Sequence, residues 1–344
     1  MYLCRTNYLL TMMEKQIIDL FQVHFGIVPE RVELLPASGS ARKYFRIFHG
    51  KESYMGTWNQ DVAENRLFLR FTRHFVSKGL HVPQIYAIGE NELTYIQEDL
   101  GNWMLLDVVE SERRERSLSS RVMTLYQKAL KELVRFQLYG HEGMDYEGAL
   151  PRPVFDQRCI LWDLNYFKYC FLRLTGATFS EDALENDFEQ LVLRLDQVDR
   201  HFFMFRDFQS RNIMVREDEV WFIDYQGGRQ GALQYDVASL LYDAIVEIPD
   251  EQRESLLTFY IKELQAKYSI EAEKFRQDYY HFVLIRLLQA MGAFGLRGLY
   301  ERKQHFIDSI VPGLHTISHL FESGRLGGDY PEIRQIVREL LLRY

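Results

Sequence analysis

Cysteine is scarce in this chain of 344 residues: Cys4, Cys159 and Cys170 are all it has, at spacings that match no metal-ligand pattern. They are expected to be small apolar residues of a reducing compartment, so neither a disulfide framework nor a zinc site is anticipated. The pair His141-Glu142 has no second histidine four residues on, which removes the metalloprotease helix motif. No lysine- and arginine-rich block occurs and the formal net charge is -8. A nucleic-acid partner, whose phosphates demand a basic patch, is therefore not expected. Apolar runs never approach the ~18 consecutive residues of a membrane span. The faintly apolar start is interrupted by Arg5 and Asn7 and shows no small-residue cleavage site, so no signal peptide or membrane partner is expected and the cytoplasm is the default. Internal repeats and low-complexity linkers are lacking too.

What is present is the composition of an ordinary globular protein, 47% hydrophobic and 26% charged with both signs interspersed. At ~150 residues per domain the length suits two packed lobes with a cleft between them. Residues 1–12 are expected to be disordered or a mis-assigned start, with Met12 and Met13 as alternative beginnings. Apolar spacing predicts a helix over 13–25, then the period changes. Alternating, aromatic-rich segments broken by Pro36, Gly39 and Gly50 predict short antiparallel strands, with a helix from about 61 and two more strands before Gly101. Residues 13–100 thus form a small sheet lobe carrying one further helix. Residues 101–344 form a mainly helical lobe, with helices near 117–140, 155–175, 180–198, 234–246, 249–267, 271–298, 301–323 and 330–343.

One polar feature interrupts the helices. "FMFRDFQSRNIMV" (203–215) is followed by "VWFIDYQGG" (220–228), two apolar runs separated by "REDE" in a hairpin pattern. Asp207 stands five residues before Asn212, and Asp224 twelve beyond it. Phosphoryl transfer needs one carboxylate to orient or deprotonate the attacking hydroxyl, and a carboxylate with an amide oxygen to hold magnesium against nucleotide phosphates. Acidic residues also favour turns, so a plain polar hairpin is the competing reading. Asp224, at the end of an apolar strand, weighs against it, because a carboxylate there is costly unless it binds something.

These segments, with "GSARKYFRI", "QEDLG" and "YDVASLLYD", resemble the phosphotransferase family of aminoglycoside phosphotransferases and choline kinases. Within it the chain is most similar to the N-acetylmuramate/N-acetylglucosamine 1-kinase branch. The resemblance implies an α+β, bilobal protein-kinase-like fold, ATP and Mg2+ as cofactors, and a small-molecule acceptor, a sugar. It makes Asp207 the catalytic base, Asn212 and Asp224 the metal ligands, Asp236 a brace for the catalytic loop, and Glu98, Asp99 and Leu100 the hinge against adenine. Ser38, Gly39 and Ser40 would approach the phosphates through their backbone.

The chain also departs from the pattern. Phe205 stands where a histidine is usual, and Gln209 where protein kinases carry lysine. Arg211 is the candidate to supply the missing charge to the transferring phosphoryl group. No lysine occurs in "SYMGTWN" (53–59). Arg42, Lys43 and Arg46 are the candidates to replace it, with Glu64 as ion-pair partner. Asp163, Arg229 and Asp243 are candidate substrate contacts, and Gly292, Gly295 and Gly298 suit close helix packing. Two alternatives stay open: a pseudokinase acting as a nucleotide-binding or protein-interaction module, and a kinase of another small acceptor such as an aminoglycoside or amino alcohol. A protein kinase is disfavoured, since no activation-loop-like segment separates Asp224 from the helix near Gln234. Oligomeric state is left open.

Overall fold

The computed structural model describes residues 2–36, 41–113 and 117–343. Its first element, α1 (Tyr2–Phe25), begins eleven residues ahead of the apolar stripe that predicts it. Five antiparallel strands follow: β1 (Arg31–Leu34), β2 (Lys43–His49), β3 (Glu52–Trp58), β4 (Ile85–Ile88) and β5 (Thr94–Glu98), in the order β1-β2-β3-β5-β4. Between β3 and β4 runs α2 (Val62–Ser77), started by the Asp61 carboxylate accepting from Glu64 N at 3.0 Å.

Alternation along the strands gives the sheet two apolar faces, and each has its own helix. Ile17 and Phe21 of α1 pack with Phe45, Ile47 and Ile96 in a separate cluster. Full burial of each such side chain stabilises by about 1.5–3 kcal/mol. Gly56 is what lets α1 sit so close, since a Cβ there would lie 2.5 Å from Ile17 Cγ2. On the other face Phe68 of α2 stacks on Tyr95 and on Tyr225 of the second lobe, at centroid distances of 5.4 and 4.9 Å. The lobe therefore carries two helices, α1 and α2, at the two places where helical spacing occurs, and α2 joins it to the main core.

The second lobe opens with α3 (Leu105–Glu112), a short helix that the periodicity does not reveal. It is anchored by Leu105, Val108 and Val109 and by Asp107 accepting from Met104 N at 2.8 Å. Then come α4 (Ser120–Leu138) and α5 (Gln157–Phe167), which passes through a π-helical turn (Lys168–Leu172) into α6 (Arg173–Thr175), and α7 (Glu181–Asp196). The polar segment of the sequence comprises β6 (Phe202–Met204), a tight turn (Ser210–Asn212), the antiparallel pair β7 (Ile213–Arg216) and β8 (Glu219–Phe222), and β9 (Arg229–Gly231), which pairs with β6. As "REDE" suggests, β7 and β8 are joined by two residues, Glu217 and Asp218, at φ +53° and +60°. Arg121 and Lys128 of α4 hold this turn through Asp218 Oδ1 and Asp218 O.

The remaining helices are α8 (Leu233–Leu241), α9 (Asp250–Gln265), α10 (Ala272–Ala293) with a π-helical end (Phe294–Tyr300), α11 (Gln304–Asp308), α12 (Ile310–Glu322) and α13 (Pro331–Leu341). The single helix expected over 301–323 is thus two, α11 and α12. By length and composition Ala272–Tyr300 would cross a membrane, yet 67% of its most apolar window is buried within the lobe. It crosses the π-helical turn after α5 closely where a Cβ on Gly295 would stand 1.8 Å from Cys170 O, which is the packing that the glycine spacing implied.

Candidate active site

The sequence feature becomes a loop held from below at four points. Asp236 of α8, fully buried, accepts from Phe205 N at 2.7 Å and Arg206 N at 3.1 Å. Burial pushes its carboxyl up to about 7, while the two N–H groups pull the other way. Phe205 is itself buried among Phe136, Phe203, Phe208 and Phe222, with centroids 4.9–5.9 Å away. An aromatic ring at this position anchors the loop by packing. Ser210 donates from both N (3.2 Å) and Oγ (2.6 Å) to Asp243 Oδ2. The fourth point is Arg206, at φ +79°, in the left-handed region that a side chain occupies only when its surroundings insist. Asp163 of α5 provides that insistence, pairing both carboxylate oxygens with Arg206 Nη1 and Nη2 at 2.6 Å, and the Tyr235 hydroxyl takes a further contact. Burial works against the guanidinium charge, but Asp163 and Tyr235 outweigh it and keep the arginine pKa above its ordinary value.

Above these supports Asp207 is exposed. Asn212 Nδ2 donates to Asp207 O at 2.8 Å and lies 3.4 Å from Asp224 Oδ2, so it bridges the two aspartates. Asp224, at φ +63° and with its side chain 40% exposed, also receives Gln226 Nε2 at 2.7 Å on Oδ1. Gly227 faces Asp207, where a Cβ would come to 4.0 Å from Asp207 Oδ2. The three groups picked out by spacing therefore stand side by side.

Across the cleft Arg42 is 3% exposed. Its Nη2 is 3.1 Å from Glu64 Oε1 and its Nη1 3.8 Å from Asp224 Oδ1. Glu64 is steadied by Asn59 Nδ2 at 2.7 Å on its other oxygen. Burial opposes the Arg42 charge, and Tyr95, Tyr44 and Glu64 outweigh it, so the group stays charged. Lys43 opens β2 on the face of Phe45 and Ile47, away from the cleft, and strand alternation rather than charge decides this. Arg46 is spent on the hinge, with Nε 2.7 Å from Asp99 Oδ2 and Nη2 2.9 Å from Gly101 O. Asp99 is thereby locked, Leu100 is buried, and Glu98 pairs with Arg216 at 2.7 Å. Ser38, Gly39 and Ser40 lie outside the described residues.

The substrate candidates are distributed differently from the expectation. Asp163 is engaged with Arg206, as above. Arg229, 5% exposed, donates to Gly227 O and Leu150 O, fixing the turn beneath Asp207 instead of reaching into open space. Burial, then the nearby Arg206, lower its pKa. Asp243 lines a cavity of about 260 Å³ with Tyr242, Arg253, His315 and Thr316, formed where the segment following α8 meets α9, α10 and α12. Arg211 is exposed beside Asn212. Sequence reasoning missed Gln226, the Arg46–Asp99 clamp and the Arg206–Asp163 pair. Gln209 and Gln226 each bury an amide oxygen with no hydrogen-bond partner, and local sequence carries no signal for either.

Among the described residues no group of three His, Cys, Asp or Glu side chains gathers to hold a metal. A divalent cation bound through Asp224 and Asn212 nonetheless fits this donor set. Magnesium takes hard oxygen ligands and is commonly held by one or two carboxylates, with substrate phosphates and water completing the shell.

A small antiparallel lobe set on a helical one, with an Asp-Asn-Asp constellation on a loop and hairpin facing the cleft, defines a phosphoryl-transfer enzyme of the protein-kinase-like, α+β class. The chain belongs to the phosphotransferase enzyme family, whose sequence profile matches residues 32–270. It is 29% identical over 244 residues to an N-acetylmuramate/N-acetylglucosamine kinase of Pseudomonas aeruginosa, covering 69% of this chain and 68% of that one. It is 26% identical over 269 residues to a kinase of the same description from Pseudomonas putida, covering 76% and 75%. In fold it is similar to the choline kinase of Streptococcus pneumoniae, with 15% identity and a TM-score of 0.55 over 97% of this chain and 100% of the other. The protein is a small-molecule kinase, and with that come ATP and a divalent metal.

Proposed function

We propose that the protein transfers the γ-phosphoryl group of ATP to a hydroxyl of an amino sugar of the N-acetylmuramate/N-acetylglucosamine kind, with Mg2+, in the cytoplasm and without a nucleic-acid or membrane partner. The reading is carried by one observation, the bridging of Asp207 and Asp224 by Asn212. The names of the relatives supply the acceptor class.

Asp207 orients the acceptor hydroxyl and takes its proton as the oxygen bonds to γ-phosphorus and the bond to ADP breaks. Asp224 and Asn212 would hold Mg2+, which when bound offsets the charge of the β- and γ-phosphate oxygens. Arg211 would supply its charge to the transferring group, and the hinge at 98–100 would meet adenine through its backbone. The unpartnered amide oxygens of Gln209 and Gln226 are suited to accept from hydroxyls. The cavity at Asp243, which shares that carboxylate with Ser210, offers an aromatic ring beside hydrogen-bonding groups, a combination suited to sugars.

The test is metal-dependent ADP release over a panel of amino sugars, amino alcohols and aminoglycosides, with Asp207→Asn as control. The amino sugars should accelerate release and the variant should lose turnover while still binding nucleotide. Turnover surviving in Asp207→Asn, or ADP release that responds only to the other acceptors, would overturn the assignment. Nucleotide binding without transfer to any acceptor would favour the pseudokinase.

A further inference from the structure

Kinases steady the nucleotide phosphates with a cation paired to a helix glutamate, and that cation is usually a lysine on the third strand. Here β3 reads Glu-Ser-Tyr-Met-Gly-Thr-Trp and has no cation to give. Thr57, its fully buried inward residue, pairs across the sheet with Tyr44 and Tyr95. Arg42, two residues before Tyr44, enters the same pocket from the start of β2. Its position is unusual in one respect: Nε and Nη2 are buried and neither makes a hydrogen bond. The 3.1 Å approach of Nη2 to Glu64 is a contact of charges whose angle falls short of a hydrogen bond. A buried guanidinium with donors left over is costly unless an acceptor arrives. The long 3.8 Å link to Asp224 is likewise one that an arriving ligand can replace. Of the three nearby cations, Lys43 opens on the opposite face and Arg46 is committed to Asp99 and Gly101.

We infer that Arg42, rather than any residue of β3, is the group that binds the phosphates of the nucleotide, with Glu64 as its fixed partner and Asp224 as the partner it releases when nucleotide enters. The inference rests on the kinase reading and deepens it. Arginine differs from lysine in presenting a planar fork that can hold two phosphate oxygens at once.

Calorimetric titration of ATP, ADP and adenosine into the full chain tests it, with Arg42→Ala and Arg42→Lys beside wild type. Loss of charge-assisted hydrogen bonds of about 1.5–3 kcal/mol weakens ATP and ADP by roughly 10- to 100-fold. Adenosine, which has no phosphate, should bind all three proteins alike. Arg42→Lys keeps the charge but not the fork and should lie between the other two, so it decides the matter if Arg42→Ala fails to fold. Unchanged ATP affinity, or an equal loss for adenosine, overturns the inference. Asp207→Asn keeps these affinities and loses turnover, so failure of the kinase reading shows separately.

Discussion

Replacing Asp163 with Asn separates two roles for that residue, a contact to the acceptor and a support for the catalytic loop. The structure commits it to the second: both oxygens hold Arg206 at 2.6 Å, and the two side chains are 9% and 16% exposed. Removing the charge of one partner in such a pair costs about 3–5 kcal/mol. Asparagine keeps the volume and one acceptor oxygen, and Arg206 retains its stacking on Phe155 and Tyr235, at 5.3 and 5.2 Å. The loss should therefore fall near the lower end, about 3 kcal/mol, or on the order of a hundredfold in the folding equilibrium. The larger consequence is local. The φ of +79° at Arg206 stores about 1–3 kcal/mol of strain, which relaxes once the anchor loosens. Asp207 is the next residue and moves with it, and a shift of ~1 Å in a catalytic group costs about a hundredfold in rate. Urea unfolding and steady-state ADP release should then show lower stability and lower kcat, with nucleotide affinity intact. A variant of wild-type stability and kcat, in which only the acceptor KM rises, would refute the support role and restore Asp163 as a substrate contact.

Two further expectations follow from other parts of the molecule. Asp224→Ala should remove the metal-dependent part of nucleotide stabilisation: wild type with Mg2+ and ATP at ~100-fold over Kd gains about 2.7 kcal/mol, whereas the variant should melt alike with and without the metal. The Asp187 carboxyl, buried and accepting from Ile333 N at 2.9 Å at the start of α13, is raised to about 6, chiefly by burial. A raised carboxyl binds its proton more tightly in the folded state than in the unfolded one. Its contribution is thus full below pH ~4 and lost as pH rises through ~6. The stability of wild type minus that of Asp187→Asn should fall across that window, and a difference independent of pH would contradict the assignment.

Much of this was legible in the chain because it depended on neighbours in sequence. The juxtaposition of Asp207, Asn212 and Asp224 was readable since they are carried on one loop and one hairpin, and a two-residue turn fixes the return of β8. Asp236 was readable as a brace only through the family resemblance of "YDVASLLYD", and its bonds to Phe205 N and Arg206 N supply the geometry. For Phe205 the tertiary structure supplies the partners: the ring supports the loop because Phe136 and Phe222 are there to receive it. For Asp163 local sequence offers no decision: a carboxylate among aromatics on a helix has the same local pattern whether it faces a sugar or a buried arginine.

The sequence by itself determined the short antiparallel strands of the first lobe, the helical character of the second and the hairpin that follows Asn212, since periodicity, turn residues and short spacings are local properties. Only the tertiary structure decided which cation faces Glu64 and Asp224 and what covers the outer face of the sheet. Lys43 and Arg42 are adjacent and equally charged, and strand alternation alone sends one toward α1 and the other toward Glu64 and Asp224. The partners that give Arg42 its role lie on α2 and on the β7–β8 hairpin, and no local pattern records an encounter between segments so far apart in the chain.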